Sequence, residues 1–87
     1  MISILFSTFN GEKTLPLMLN SLVKQREIDW AFFEIIIVNN NSIDLSGDII
    51  NSYSEKLPIR LLSEKKQGKN AALNTGLQHA RGDLIAL

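Results

Sequence analysis

The sequence has 87 residues, no cysteine, and nine basic side chains balanced by nine acidic ones. A chain of this size forms at most one small domain with a thin core. The charge balance argues against nucleic acid or anionic lipid as a broad electrostatic partner, and the lack of cysteine excludes disulfides, thiolate metal sites and cysteine nucleophiles.

The first quarter of the chain predicts a strand and then an amphipathic helix. Ile2 to Phe6 is apolar at almost every position, and its short length and the polar break at Ser7-Thr8 favour a buried strand. Asn10-Gly11 marks a turn. From Thr14 onward the apolar residues recur at helical spacing, and Pro16 stands near the start, where a helix tolerates proline.

The middle of the chain predicts the same alternation again. Phe33 to Val38 is the second buried strand. A second helix follows, for which Asp44 or Ser46 is the expected N-cap. Pro58 is expected to end that helix and to open a third short strand, Ile59 to Leu62.

The last part of the chain predicts a third helix and a fourth strand. Apolar or small residues fall on one face of that helix, namely Leu73, Gly76, Leu77 and Ala80. Gly82 is expected to be its left-handed C-cap, and "DLIAL" begins the fourth strand. The alternation of strands and helices with short connections predicts an α/β fold with a parallel sheet.

Polar loops follow the first three predicted strands. In open parallel sheets, ligands bind in the crevice at the carboxyl ends of the strands, and the loops there read "STFNGE", "NNNSID" and "KKQGKN". They carry no dinucleotide-binding glycine pattern and no Walker loop. A phosphate-accepting response regulator would need carboxylates where this chain has Ser7-Thr8 and Ser63. The only histidine, His79, is expected to complement a helix dipole.

Three segments together resemble the family 2 glycosyltransferases of the GT-A fold. They read "ISILFSTFNGEKTLPLMLNSLVKQ", "FEIIIVNNNSID" and "QGKNAALNTGLQHARGDLIAL", and they span essentially the whole chain. The resemblance implies that residues 1–87 are the N-terminal part of one GT-A domain, a Rossmann-like nucleotide-binding half that stops in its fourth strand. It also implies an enzyme, an inverting transferase that moves a sugar from a nucleotide-diphosphate sugar to an acceptor hydroxyl.

The resemblance also implies a nucleotide-binding site. Carried over by position, the residues that would line the nucleobase and ribose after the first strand are Ser7, Thr8, Phe9, Asn10 and Glu12. Asn39 and Asn40 stand where the family usually has aspartates, Asn40 being at the typical base contact, and Ser42 follows. An asparagine keeps pairing capacity without the charge. Gly68 would let the backbone approach the ligand, and Lys69 would face the diphosphate.

The same residues have simpler interpretations. Asn10-Gly11 can be a plain turn, Phe9 a core aromatic, Ser42 part of a helix cap, and the lysine-rich loop a solvated one. Asn41 is expected in the tight bend where relatives often have glycine. Asn74 is expected to tie its helix to the preceding loop.

The resemblance implies further parts of the enzyme that these residues do not contain. A divalent cation, Mg²⁺ or Mn²⁺, would be held by an Asp-x-Asp motif beyond Leu87, and the general base would lie farther on. The acceptor would be a saccharide or a lipid-linked molecule. The enzyme would be cytoplasmic, at the inner face of the membrane if other segments attach it there. Two alternatives stay open: a non-catalytic α/β nucleotide-binding or regulatory module, and a truncated product without a function of its own.

Overall fold

The computed structural model describes residues 1–25 and 27–86. Its elements are β1 (Ile2–Thr8), α1 (Leu15–Val23), a 3₁₀-helix (Trp30–Phe32), β2 (Phe33–Asn39), α2 (Ser46–Ser52), β3 (Ile59–Ser63), α3 (Lys69–His79) and β4 (Leu84–Ala86). The order confirms the predicted alternation, and the 3₁₀-helix is an addition to it. The predicted fourth strand is present at Leu84–Ala86, while its last residue, Leu87, lies outside the described residues.

The four strands form one sheet in the order β3-β2-β1-β4, and all three pairings are parallel. In the register, Thr8 of β1 lies opposite Asn39 of β2, and Asn39 lies opposite Ser63 of β3. Three strands therefore end at one level along the carboxyl edge of the sheet. This is the edge where the sequence places its polar loops.

The apolar run of β2 forms the centre of the protein, because strand side chains alternate between the two faces of a sheet. Ile35 and Ile37 pack with residues of α1 and α2 on one face. Ile36 and Val38 pack with Leu5 of β1 and with α3 on the other. All four β2 side chains have no exposed surface, so helices cover β2 on both sides, as a continuous apolar run predicts.

Two predicted helix ends were wrong. The N-cap of α2 is Leu45 and not Asp44 or Ser46, although the Asp44 carboxylate accepts a hydrogen bond from the Ser46 amide at 2.9 Å. The helix also ends at Ser52, several residues before Pro58. A turn takes over from Tyr53, where the backbone folds back through amide-to-carbonyl bonds such as Leu57 to Tyr53 at 3.1 Å.

Two predictions for α3 were wrong as well. Leu77 is 43% exposed and does not share the buried face with Gly76 and Ala72. Gly82 is not left-handed. A Cβ at Gly82 would lie 2.5 Å from the Ser3 hydroxyl and 2.6 Å from the Ser3 amide nitrogen, so glycine is needed there for a close approach of two backbone segments.

A buried carboxylate joins the sheet to the segment that leads into β4. Glu34 is 5% exposed and accepts from the Ser3 hydroxyl at 2.5 Å and the Arg81 amide at 2.6 Å. The Arg60 guanidinium donates to it at 3.0 Å. Burial alone would raise the pKa of Glu34, but these donors and the Arg60 charge outweigh it and bring the pKa to about 2. Ser3 also accepts from the Gly82 amide at 2.8 Å.

Candidate functional site

Three loops meet at the carboxyl edge of the sheet. Loop 1 (residues 9–14) follows β1, loop 2 (residues 40–45) follows β2, and loop 3 (residues 64–68) follows β3. Loop 2 lies between the other two, because β2 lies between β1 and β3. All ten predicted site residues belong to these loops or to the strand and helix residues next to them.

Asn10 binds loop 1 to loop 2 in both directions. Its amide donates to the Ser42 hydroxyl at 2.9 Å, and its side-chain oxygen accepts from the Ile43 amide at 2.9 Å. Asn10 has a φ of 50° and Asn41 a φ of 65°, a left-handed conformation that asparagine tolerates better than most residues. The turn expected at Asn10 and the tight bend expected at Asn41 are thus confirmed. The Asn10 side chain also holds loop 1 against loop 2, through its bond from the Ile43 amide.

A second group of hydrogen bonds joins the same two loops closer to the helices. The Gly11 amide donates to the buried Ser46 hydroxyl at 2.9 Å, and the Glu12 amide donates to the Asp44 carboxylate at 3.1 Å. The Glu12 carboxylate accepts from the Leu45 amide at 3.4 Å. Desolvation raises the pKa of Asp44, but hydrogen bonds from Ser46 and from the Glu12 amide lower it overall. The two loops therefore form one connected unit.

Loop 3 wraps around the side chain of Asn40. This residue is 3% exposed. Its NH₂ group donates to the Glu64 carbonyl at 3.0 Å and the Lys66 carbonyl at 2.8 Å. Its oxygen accepts from the Gly68 amide at 2.9 Å. The Asn40 side chain is thus engaged by loop 3, and the neighbouring Asn39 side chain accepts from the Ser42 amide at 3.2 Å.

Gly68 and Lys69 lie where loop 3 enters α3. Gly68 has a φ of 124°, which side-chain-bearing residues rarely adopt, so this turn into the helix requires glycine. Lys69 is exposed and is the first residue of α3. It lines a cavity of about 340 Å³ together with Ser7 of β1 and the apolar residues Leu5, Phe6 and Leu73. The structure therefore brings Ser7 and Lys69 together.

The remaining predicted residue of loop 1 faces outward. Phe9 is 55% exposed, so the interpretation as a core aromatic was wrong. Thr8, just before it, is 9% exposed, and its hydroxyl would lie 2.6 Å from a Cβ on Gly11. Of the predicted residues, Ser7, Phe9 and Lys69 have side chains that are free to meet a ligand, whereas Asn10, Glu12 and Asn40 hold loops together.

Two residues that carry the site were missed or misassigned from the sequence. Ser46 anchors loop 1, and the signal available for it was its place two residues after Asp44 at a helix start.

Glu64 accepts from the Thr75 hydroxyl at 2.6 Å and the Lys66 amide at 3.1 Å, and these bonds lower the pKa of Glu64 despite some desolvation. Thr75 makes the tie between α3 and loop 3 that was expected of its neighbour Asn74, which is exposed.

The described part of the chain contains neither a cluster of metal ligands nor a membrane-spanning helix. Within residues 1–25 and 27–86, no three acidic or histidine side chains come together as ligands for a metal ion. Within the same residues, no helix is both long and apolar enough to cross a membrane.

Comparisons with known proteins show the family of this chain. The model of glycosyl transferase family 2 matches residues 3–87. A dolichyl-phosphate beta-glucosyltransferase of Trichomonas vaginalis is 37% identical over 93 residues, which cover 99% of this chain and 29% of that protein.

Solved structures give the same result for the fold. Staphylococcus aureus TarS in complex with UDP superposes with a TM-score of 0.89 at 29% identity, over 97% of this chain and 25% of TarS. A mannosyltransferase of Pyrobaculum calidifontis in complex with GDP-Man and Mn²⁺ superposes with a TM-score of 0.86 at 25% identity, over 97% of this chain and 25% of that enzyme. The chain thus spans less than a third of the length of each of these three proteins. By the extent of the family match, from residue 3 to residue 87, it belongs to glycosyltransferase family 2.

Proposed function

We propose that the protein containing this chain transfers a sugar from a nucleotide-diphosphate sugar to an acceptor hydroxyl, and that this chain supplies the nucleotide-binding part. The observation that carries the proposal is the alignment of three polar loops at one edge of a parallel sheet. Ligands of such sheets bind at this edge. The complexes of TarS with UDP and of the mannosyltransferase with GDP-Man support a nucleotide donor.

Within this site, Phe9 would stack on the nucleobase and Lys69 would meet the diphosphate. Phe9 is more than half exposed beside the end of β1, and an exposed aromatic ring offers a face to any base. Lys69 lines the same cavity as Ser7, and a lysine ammonium is a compact charge suited to phosphate oxygens. Thr8, Asn39 and Ser42 would complete the base and ribose side.

The acceptor, the metal ion and the cellular location belong to the proposal as well. The relative named as a dolichyl-phosphate beta-glucosyltransferase supports a lipid phosphate as acceptor, and reaction at the inner face of a membrane would suit such a molecule. The Mn²⁺ in the mannosyltransferase complex supports a divalent cation in the whole protein. Transfer of labelled sugar to a polyprenyl phosphate, and not to a free saccharide, would distinguish the two acceptor classes.

The test of the nucleotide site is calorimetric titration of the whole protein with UDP, GDP and dTDP in the presence of Mn²⁺. We expect at least one to bind, and we expect Lys69→Gln to weaken its binding by about tenfold, the effect of losing one charge-assisted contact. Lys56→Gln is the matched control, since Lys56 is an exposed lysine in the turn that leads to the opposite end of β3. Absence of binding by all three nucleotides would refute the proposal.

A further inference from the structure

Both amide hydrogens and the oxygen of the Asn40 side chain are hydrogen-bonded to backbone groups of loop 3. Its NH₂ group has two hydrogens, which point to the carbonyls of Glu64 and Lys66. Its oxygen accepts from the Gly68 amide. Because the residue is 3% exposed, little of it remains for a ligand to touch.

Only an amide side chain satisfies this arrangement. An ionised aspartate accepts hydrogen bonds and donates none, so at position 40 it would set a negative oxygen against two carbonyl oxygens. Both donated bonds would be lost and the two carbonyls would lose these partners in a partly buried place, which is costly. The asparagine is therefore matched to this conformation of loop 3 and not merely a neutral substitute for a carboxylate.

One hydrogen bond of the Asn40 side chain, from the Gly68 amide, fixes the residue at which α3 begins. Gly68 is the N-cap of that helix, and Lys69 follows it directly. The main chain of Asn40 is fixed to the sheet, since its backbone amide donates to the Thr8 carbonyl at 2.8 Å. The position of Gly68, and with it the direction of the first turn of α3, is thus set from the ends of β1 and β2.

We propose that Asn40 is a positioning residue, which holds loop 3 and the start of α3 in place for the donor diphosphate and does not itself read the base. This inference rests on the proposed function, because the ligand is the nucleotide donor named there. According to this inference, Asn40 affects binding of the donor only by fixing the positions of Gly68 and Lys69. A base contact by Asn40 would instead leave loop 3 unchanged when the side chain is replaced.

Asn40→Asp separates the two roles, and Asn41→Asp is its matched control. A base contact tolerates Asn40→Asp, since a carboxylate also accepts from a base N–H, whereas the positioning role does not. Asn41→Asp adds the same charge one residue away, at a left-handed position that aspartate also tolerates, and it loses only an exposed bond to the Gln67 side chain at 3.3 Å. The difference between the two variants therefore removes the plain effect of an added negative charge.

The experiment has a readout without ligand and a readout with it. In the whole protein, hydrogen exchange of the Gly68 amide is expected to be about tenfold or more faster in Asn40→Asp than in wild type, and unchanged in Asn41→Asp. In a transfer assay, the donor KM is expected to be about tenfold or more higher in Asn40→Asp than in Asn41→Asp, with the acceptor KM unchanged. A general loss of folded enzyme would lower the rate and leave both KM values alone.

Each contrary result has a distinct meaning. Unchanged Gly68 exchange in Asn40→Asp would overturn the inference, as would a donor KM equal to that of Asn41→Asp. If Asn40→Asp does not fold, exchange in the wild type decides: the Asn40 side-chain NH₂ hydrogens must exchange more slowly than those of the exposed Asn41, and equal rates would overturn the inference. If the wild type binds no nucleotide, the proposed function fails, while the exchange data still report on the contact.

Discussion

Replacing Glu34 by glutamine tests whether its ionised carboxylate stabilises the fold. The carboxylate is buried and accepts from Ser3, Arg81 and Arg60. Glutamine has only one accepting oxygen, so its NH₂ group would face at least one of these donors. The segment that leads into β4 would lose part of its attachment to the sheet.

The size of the effect follows from the pKa of Glu34. That pKa is about 2 in the folded protein, against 4.5 for an unperturbed glutamate. At about 1.4 kcal/mol for each pH unit, this difference corresponds to about 3 kcal/mol of folding free energy. Because the folded pKa is the lower one, the stabilisation is complete above pH 4.5 and is lost as the pH falls toward 2.

Urea unfolding of the whole protein at several pH values measures this contribution. At neutral pH we expect Glu34→Gln to have a free energy of unfolding about 3 kcal/mol below wild type. Between about pH 7 and about pH 3, wild type should lose about 2 kcal/mol more than the variant, the part that titrates in that range. Glu55→Gln, which removes an exposed carboxylate after α2, should follow wild type. Parallel curves for wild type and Glu34→Gln would refute the reasoning.

Three further substitutions test separate contacts. Gly76→Ala sets a Cβ against the Leu5 side chain, so unfolding in urea should show a loss of about 1–3 kcal/mol; unchanged stability would mean that α3 lies farther from the sheet. Ser46→Ala leaves the Gly11 amide without its acceptor. We expect the free energy of unfolding in urea to fall by about 1–3 kcal/mol. A loss below about 0.5 kcal/mol, the scale of ordinary surface substitutions, would contradict this contact. Phe9→Ala should keep stability within about 0.5 kcal/mol, since the ring is 55% exposed. The affinity for whichever of UDP, GDP and dTDP binds the wild type should fall about tenfold by calorimetry through lost stacking, and unchanged affinity would remove Phe9 from the site.

The fold was predictable because its strands and helices carry strong local patterns. The run from Ile35 to Val38 has no polar residue and is β-branched throughout, and such a short run favours a strand covered on both faces. Element ends were less predictable. β1 continues through Ser7 and Thr8, since their backbone groups pair with Val38 and Asn39 whatever their side chains are. Gly82 has a tertiary reason, its contact with Ser3, that no local pattern reveals.

The place of the site was predictable, but the roles of its side chains were not. Parallel strands put their carboxyl ends at one edge, so three polar loops had to converge there. Whether a side chain faces a ligand or another loop depends on partners far away in sequence. Asn10 meets Ser42 and Ile43, and Asn40 meets Gly68. Asn, Ser and Asp serve equally as ligand contacts and as partners of backbone amides, and their identity alone does not distinguish the two.

The hydrogen bonds between loop 1 and loop 2 limit how this edge can be re-engineered. Each loop supplies partners for the other: Asn10 and Glu12 from loop 1, Ser42 and Asp44 from loop 2. A chimera that receives one loop from a relative would leave several of these groups facing foreign partners. The two loops must therefore be transplanted as a pair, together with Ser46. Loop 3 is held by loop 2 through the buried Asn40 side chain and one exposed bond from Asn41 to Gln67 at 3.3 Å, so it is the loop to exchange by itself provided that Asn40 is kept.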